Sequence, residues 1–243
     1  YVENHDNQTL YDNNVFKLPV GTSTEDRARV QLLGVAITAL SQGVAYFHAG
    51  IDVLRSKSMD RNSFDSGDWF NRLDWTYQTN YFGTGLPPKA DNGESWPLMQ
   101  PLLANDTLRP APSDIVFARD VTRDLLAVRE SSTLFRLRTA ADIRQRLTFP
   151  NTGTAQNPVV LVGHVNGKGY PGSVFKDVLY LINVDKQPQD ITIPEEAGKA
   201  YQLHPVQAAG SAADARIRTG ARFETGSGRF TVPARSAAVF VTR

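Results

Sequence analysis

The sequence predicts an α/β segment followed by an all-β domain, on three observations. From Tyr1 to about Arg146, short apolar runs, polar loops and helical periodicities alternate, as they do in β/α proteins. Beyond Pro150 the hydrophobic period becomes two and turn signals separate the runs, the pattern of an antiparallel sandwich. The first part also offers only two strand-like runs, and two parallel strands leave both faces and both edges uncovered. Residues 1–146 therefore read as the tail of a larger barrel or sheet, and residues 147–243 as a C-terminal β-sandwich domain.

Tyr1 and Val2 read as the end of a buried strand, which leads into the polar cluster Glu3, Asn4, His5, Asp6 and Asn7. Thr22, Ser23 and Thr24 then offer N-cap oxygens, Glu25 and Asp26 put negative charge in the first turn, and helix formers run to about Ser41 before Gly43. From Leu32 to Leu40 that helix is apolar on nearly every face, which predicts cover on two sides, by a sheet and by a second domain. Val44 to His48 reads as another strand, ended by Gly50. The stretch from about 51 to 112 exceeds the about 12 to 15 residues of an ordinary connection, and its Trp, Phe, Asp and Arg content marks it as functional.

Ser113 reads as the cap of a helix striped by Ala118, Val121, Leu125 and Val128, and a shorter helix is expected over Ala140 to Arg146. Sandwich strands are expected at Val159 to Val165, Val178 to Val184, Ile191 to Ile193, Tyr201 to His204, Arg222 to Thr225, Arg229 to Val232 and Ala237 to Val241. Ala208 to Ala215 reads as a loop of small residues.

The 26 basic and 25 acidic residues are spread along the chain for a formal charge of +1, so neither nucleic acid nor an anionic membrane is an expected partner. The longest mostly apolar run, Leu32 to Leu40, is half the roughly 18 residues a membrane span needs. The absence of cysteine excludes disulfides and thiolate metal sites. It fits the cytosol and also a secreted or periplasmic bacterial protein, the latter slightly favoured, and so leaves the compartment open.

The dipeptide His5-Asp6 lies at the carboxyl end of the first expected strand, the end that faces the active-site mouth in a β/α barrel. The plainer alternative is that Asp6 and Asn7 turn the chain. Asp68 and Arg72 are four apart, so on a helical turn they either pair with each other or jointly receive a ligand. Ser56, Lys57 and Ser58 have no adjacent base, which argues against a serine nucleophile. His48, His164 and His204 lack the spacing of transition-metal ligands, and the last two fall in sandwich strands as structural residues. Asp60, Asp65 and Asp91 form no EF-hand-like string, so no cofactor is expected and calcium, though possible, is not assigned a site.

The string YVENHDNQTLYD, Tyr1 to Asp12, resembles the fourth conserved motif of the α-amylase-type glycoside hydrolases, family 13, in the form found in pullulanases and limit dextrinases. HAGIDVLRSKSMDRNSFDSGDWFNRLDW, His48 to Trp75, is similar to the loop after the eighth barrel strand of pullulanases. LFRLRTAADIRQRLTFPNTG, Leu134 to Gly153, is similar to their junction with a C-terminal domain. The resemblance implies the C-terminal part of a (β/α)8 TIM barrel, with a long loop at about 51–112, followed by an antiparallel β-sandwich. It implies hydrolysis of α-1,6-glucosidic linkages in pullulan, limit dextrins and branched α-glucans with retention.

By the same resemblance Asp6 is the transition-state stabiliser, gripping the 2- and 3-hydroxyls of the sugar at the scissile bond, and His5 donates to those hydroxyls. Asp68 and Arg72 contact glucose units on the non-reducing side, while Trp69, Phe70 and Trp75 either stack on sugars or fill the core. Family members carry the nucleophile and the acid/base on the fourth and fifth barrel strands, whereas this chain begins at what corresponds to the seventh. The implied partners are thus a branched α-glucan and the remainder of the same barrel, and the chain alone is expected to be inactive. The rival readings are an α-1,4-acting member of the superfamily, which the string from Arg55 to Trp75 disfavours, and a non-catalytic α-glucan-binding module.

Overall fold

The polar N-terminal residues lead directly into a helix, α1 (Leu10–Lys17), capped by Thr9, whose side chain accepts from the Asp12 amide. In the computed structural model, which describes residues 1–243, the chain divides into two compact units: residues 1–35 with 46–120, and residues 36–45 with 121–243. Two long helices, α2 (Thr24–Leu40) and α6 (Pro112–Glu130), run through both divisions.

In the first unit α2 starts where its caps predict, with the Ser23 hydroxyl accepting from the Asp26 amide. Arg27 on its first turns is fully buried and donates to the carbonyls of Asn14, Pro19, Val20 and Thr22, so the guanidinium satisfies the backbone that leaves α1. The stretch from 51 to 112 is built from short turns: α3 (Asp68–Asn71), α4 (Lys89–Asn92), α5 (Trp96–Leu103) and four 3-10 turns. They close over Tyr11, which donates to Leu108 O at 2.6 Å and meets Phe82 edge-on. Buried polar groups pin the turns together. Asp60 accepts from the Asn62 amide, the Asn92 amide group and the Ser66 hydroxyl, and Asn80 donates to Leu54 O.

Two expectations fail in this unit. Tyr1–Val2 and Val44–His48 are not strands, and Tyr1 and Val44 are 74% and 97% exposed. Tyr1 and Tyr46 meet edge to face, at a centroid distance of 5.7 Å, without a backbone ladder between their segments. A strand exists only through paired neighbours, and this chain supplies none for either run. Ser113 is not a cap but the second residue of α6. Pro112 occupies the first helical position, where its missing N–H costs nothing, and Asp114 accepts from the Ala111 amide.

The second unit follows its pattern closely. After α7 (Ala140–Arg146) come β1 (Leu147–Thr148), β2 (Val160–Asn166), β3 (Asp177–Asn183), β4 (Gln189–Thr192) and β5 (Gln202–Leu203), then α8 (Pro205–Ala208) and α9 (Ala215–Gly220). The chain ends with β6 (Arg222–Glu224), β7 (Arg229–Val232) and β8 (Ser236–Thr242). All pairings are antiparallel, in sheets of order β1-β2-β3-β8-β5 and β4-β7-β6, and the sheets pack as a sandwich. Phe230 is the hub of the core, its ring against those of Tyr201, Phe223 and Phe240. Gly163 lies opposite Tyr180, whose ring fills the space a side chain would take. Only β1 falls outside the strands expected from sequence, and a two-residue run is too short to carry a period. The chain is thus a mixed helical and antiparallel-sheet structure, with no parallel strand pair in it.

Candidate functional site

The cleft of the first unit that holds His5 and Asp6 has a volume of about 250 Å³, and His48, Arg55, Lys57, Phe64 and Asn71 also line it. His5 Nδ1 is 3.4 Å from Asp6 Oδ1, and the two side chains are 76% and 67% exposed. A carboxylate this exposed has oxygen lone pairs open to hydrogen bonds from a ligand.

Its backbone, by contrast, is held. The Asp6 amide donates to Asn4 Oδ1 at 2.7 Å, and Asn7 sits at φ 60°, a left-handed conformation that Asn tolerates. Upstream, the buried Glu3 carboxylate accepts from the Leu10 amide at 2.6 Å and bonds His48 Nδ1 at 2.6 Å. From below, the Lys57 ammonium donates to the His5 carbonyl at 3.0 Å. Lys57 is itself seated by Asp12, which accepts from its amide at 2.8 Å and from the Ser56 hydroxyl at 2.5 Å. Burial raises the pKa of Asp12 to about 6, against the opposing pull of those hydrogen bonds. Burial also pushes the Lys57 ammonium down, offset in part by Asp12 and then Asp60.

One wall is a loop lattice. Arg55 donates to Ala49 O at 3.1 Å and to Asn71 O at 2.5 Å, and Asn71 donates to Ser63 O and Gly67 O. That lattice presents Phe64 at the rim, 82% exposed.

Asp68 and Arg72 do not pair. Helix α3 lasts one turn and Arg72 leaves it in extended conformation, so the geometry of a four-residue helical spacing never forms. The Arg72 guanidinium lies between the rings of Trp69 and Tyr81, 4.0 and 3.9 Å from their centroids. Its Nε is buried without an acceptor, while Asp68 is exposed. Trp69 and Trp75 are 54% and 62% exposed, which removes them from the core. One face of Trp69 is already covered by Arg72, and its Nε1 donates to Thr84 O.

The cleft thus holds both His5 and Asp6, and leaves Asp68 and Arg72 on a neighbouring turn outside its lining. Sequence reasoning passed over Glu3, His48, Arg55 and Lys57. A run of charged residues inside an otherwise apolar-punctuated loop was the available signal. His164 and His204 are structural: His164 bonds Asp177 at 2.9 Å, and His204 joins Ser131 and the Val206 amide. No group of three acidic, His or Cys side chains converges in the chain, and Asp60 accepts hydrogen bonds within its own loop.

Residues 77–243 match the family described as alpha-1,6-glucosidases, pullulanase-type, C-terminal. Pullulanase 1, chloroplastic, of Arabidopsis thaliana is 42% identical over 248 residues, an alignment covering 99% of this chain and 25% of that protein. The pullulanase of Klebsiella pneumoniae is 32% identical, over 98% of this chain and 22% of its own length. The crystal structure of a maltotriose complex of PulA from Klebsiella pneumoniae superimposes with a TM-score of 0.90 at 30% identity, over 100% of this chain and 26% of that one. The chain spans about a quarter of the length of the relatives it matches.

Proposed function

The chain belongs to the pullulanase-type alpha-1,6-glucosidases, at their C-terminal part, and on that basis we propose that it is the last quarter of a debranching glycosidase acting on branched α-glucans. Residues 1–146 complete a (β/α)8 catalytic barrel, whose other strands pair with Tyr1–Val2 and Val44–His48, and residues 147–243 form its C-terminal β-sandwich domain. The observation that carries the reading is the exposed His5–Asp6 pair on a main chain held from beneath.

In this reading hydrolysis proceeds with retention. A nucleophilic and an acid/base carboxyl about 5 to 5.5 Å apart, supplied by residues outside this segment, act across the scissile bond through an oxocarbenium-like state. Asp6 accepts from the 2- and 3-hydroxyls of the reacting sugar. Those hydroxyls become more acidic as the ring gains positive charge, so the bonds strengthen in the transition state. A charged acceptor roughly doubles the strength of such a bond, and exclusion of water raises it further. His5 donates to the same hydroxyls. Asp68 and Arg72 bind glucose units further from the cleavage point, and the unsatisfied Arg72 Nε is one donor available there. The maltotriose bound in the Klebsiella pneumoniae complexes supports an α-glucan as ligand here too.

The test is product analysis with the complete polypeptide. Pullulan should be cut to maltotriose released first as the α-anomer, with linear amylose untouched. Cleavage of amylose at a comparable rate would favour the α-1,4-acting alternative, and binding without any cleavage would favour a glucan-binding module.

A further inference from the structure

The His5–Asp6 turn has no backbone-to-backbone hydrogen bond of its own: none involves residues 1–8. Its position therefore depends on side chains that reach its backbone, and Lys57 reaches the most consequential point. The carbonyl that accepts from Lys57 Nζ, at 3.0 Å, belongs to the peptide that joins His5 to Asp6. That is the one hydrogen bond the ammonium makes, although the side chain is only 1% exposed.

The cradle around it is also strained. Leu54, Ser58 and Met59 adopt left-handed φ of 58°, 52° and 66°. These persist because Ser56 N donates to Asn80 O, Ser58 Oγ to Gly85 O, and the Asp12 carboxylate grips Ser56 and Lys57. Strain of about 1 to 3 kcal/mol per such residue endures where the surroundings over-determine it, commonly at functional sites.

We infer that Lys57 is a positioning residue for Asp6: its buried ammonium fixes the His5–Asp6 peptide and so aims the carboxylate at the sugar hydroxyls. The inference rests on the reading of Asp6 as transition-state stabiliser. A displacement of about 1 Å at a reacting group can cost roughly 100-fold, so loss of this hydrogen bond is expected to act on turnover rather than on ground-state affinity.

In the complete polypeptide, Lys57→Met should lower kcat on pullulan by about 10- to 100-fold, with KM changed less than about threefold. Lys57→Gln, whose amide falls short of the His5 carbonyl, should do the same and carries the test if the Met variant does not fold. Arg129→Met is the control for lost stability: Arg129 donates to the carbonyls of Ala39, Ser41 and Gly43, so its loss should lower the thermal midpoint and leave kcat unchanged. Combined with Asp6→Asn, Lys57→Met should add almost nothing, because it acts through Asp6. A kcat within about twofold of normal in the Lys57 variants, or losses that multiply in the double variant, would overturn the inference while leaving the role of Asp6 intact. Near-normal turnover of Asp6→Asn alone would instead remove the reading beneath it.

Discussion

Replacing Tyr81 by leucine tests how Arg72 is held. The guanidinium lies 3.9 Å from the Tyr81 ring centroid and 4.0 Å from that of Trp69. Each such contact is worth about 0.5 to 1 kcal/mol when exposed and about 2 when desolvated. Arg72 is partly buried, with its Nε fully so, which places the Tyr81 contact near 1 kcal/mol, an order-of-magnitude figure between those limits. Leucine keeps apolar contact and removes the ring charge distribution, so Arg72 gains rotamers that a bound glucan must freeze out. At about 1.4 kcal/mol per tenfold, maltotriose affinity of the complete polypeptide should fall roughly fivefold by calorimetry. The same substitution in an Arg72→Met background should cost less than about twofold, since the ring then has no cation to hold. Equal losses in both backgrounds would refute the proposed route through Arg72.

Other perturbations address the scaffold. In Gly163→Ala the new methyl would stand 2.1 Å from the Tyr180 ring, which is buried in the sheet, so overpacking should cost about 1 to 3 kcal/mol. The thermal midpoint should fall by several degrees, and an unchanged midpoint would show that the ring swings aside freely. His204 has its pKa lowered from 6.5 to about 4, first by burial and then by Arg243. The unfolded chain therefore takes up this proton first. Its contribution is complete above pH 6.5 and is lost as pH falls towards 4, by about 3 kcal/mol in all. His204→Gln should flatten the denaturant stability profile across that window, and a profile of unchanged slope would contradict the assignment.

The β-sandwich was legible because its strands are short apolar or alternating runs, β3 and β8 being buried on both faces, and Gly, Asn and Pro punctuate the turns between them. The cap at Ser23 was legible for the same local reason. What failed was whatever depends on partners outside the local window. Tyr1–Val2 and Val44–His48 carry strand-like composition, but a strand is defined by a neighbour. The spacing of Asp68 and Arg72 predicted a shared helical face, yet α3 stops after one turn and the aromatic rings of Trp69 and Tyr81 take the cation instead. The role of Lys57 was not legible, because the burial of a long charged side chain is set by tertiary packing around Asp12 and Asp60, which no periodicity reports. His5 and Asp6 stand out in the sequence through their motif and its position at the end of an apolar run.

The most direct measurement is the turnover of Asp6→Asn in the complete polypeptide, beside its affinity for maltotriose. Asparagine keeps the size of the side chain and removes its charge. If Asp6 grips the sugar hydroxyls mainly in the transition state, kcat on pullulan falls by orders of magnitude while maltotriose affinity changes only a few-fold. Turnover close to that of the unsubstituted protein would contradict the account.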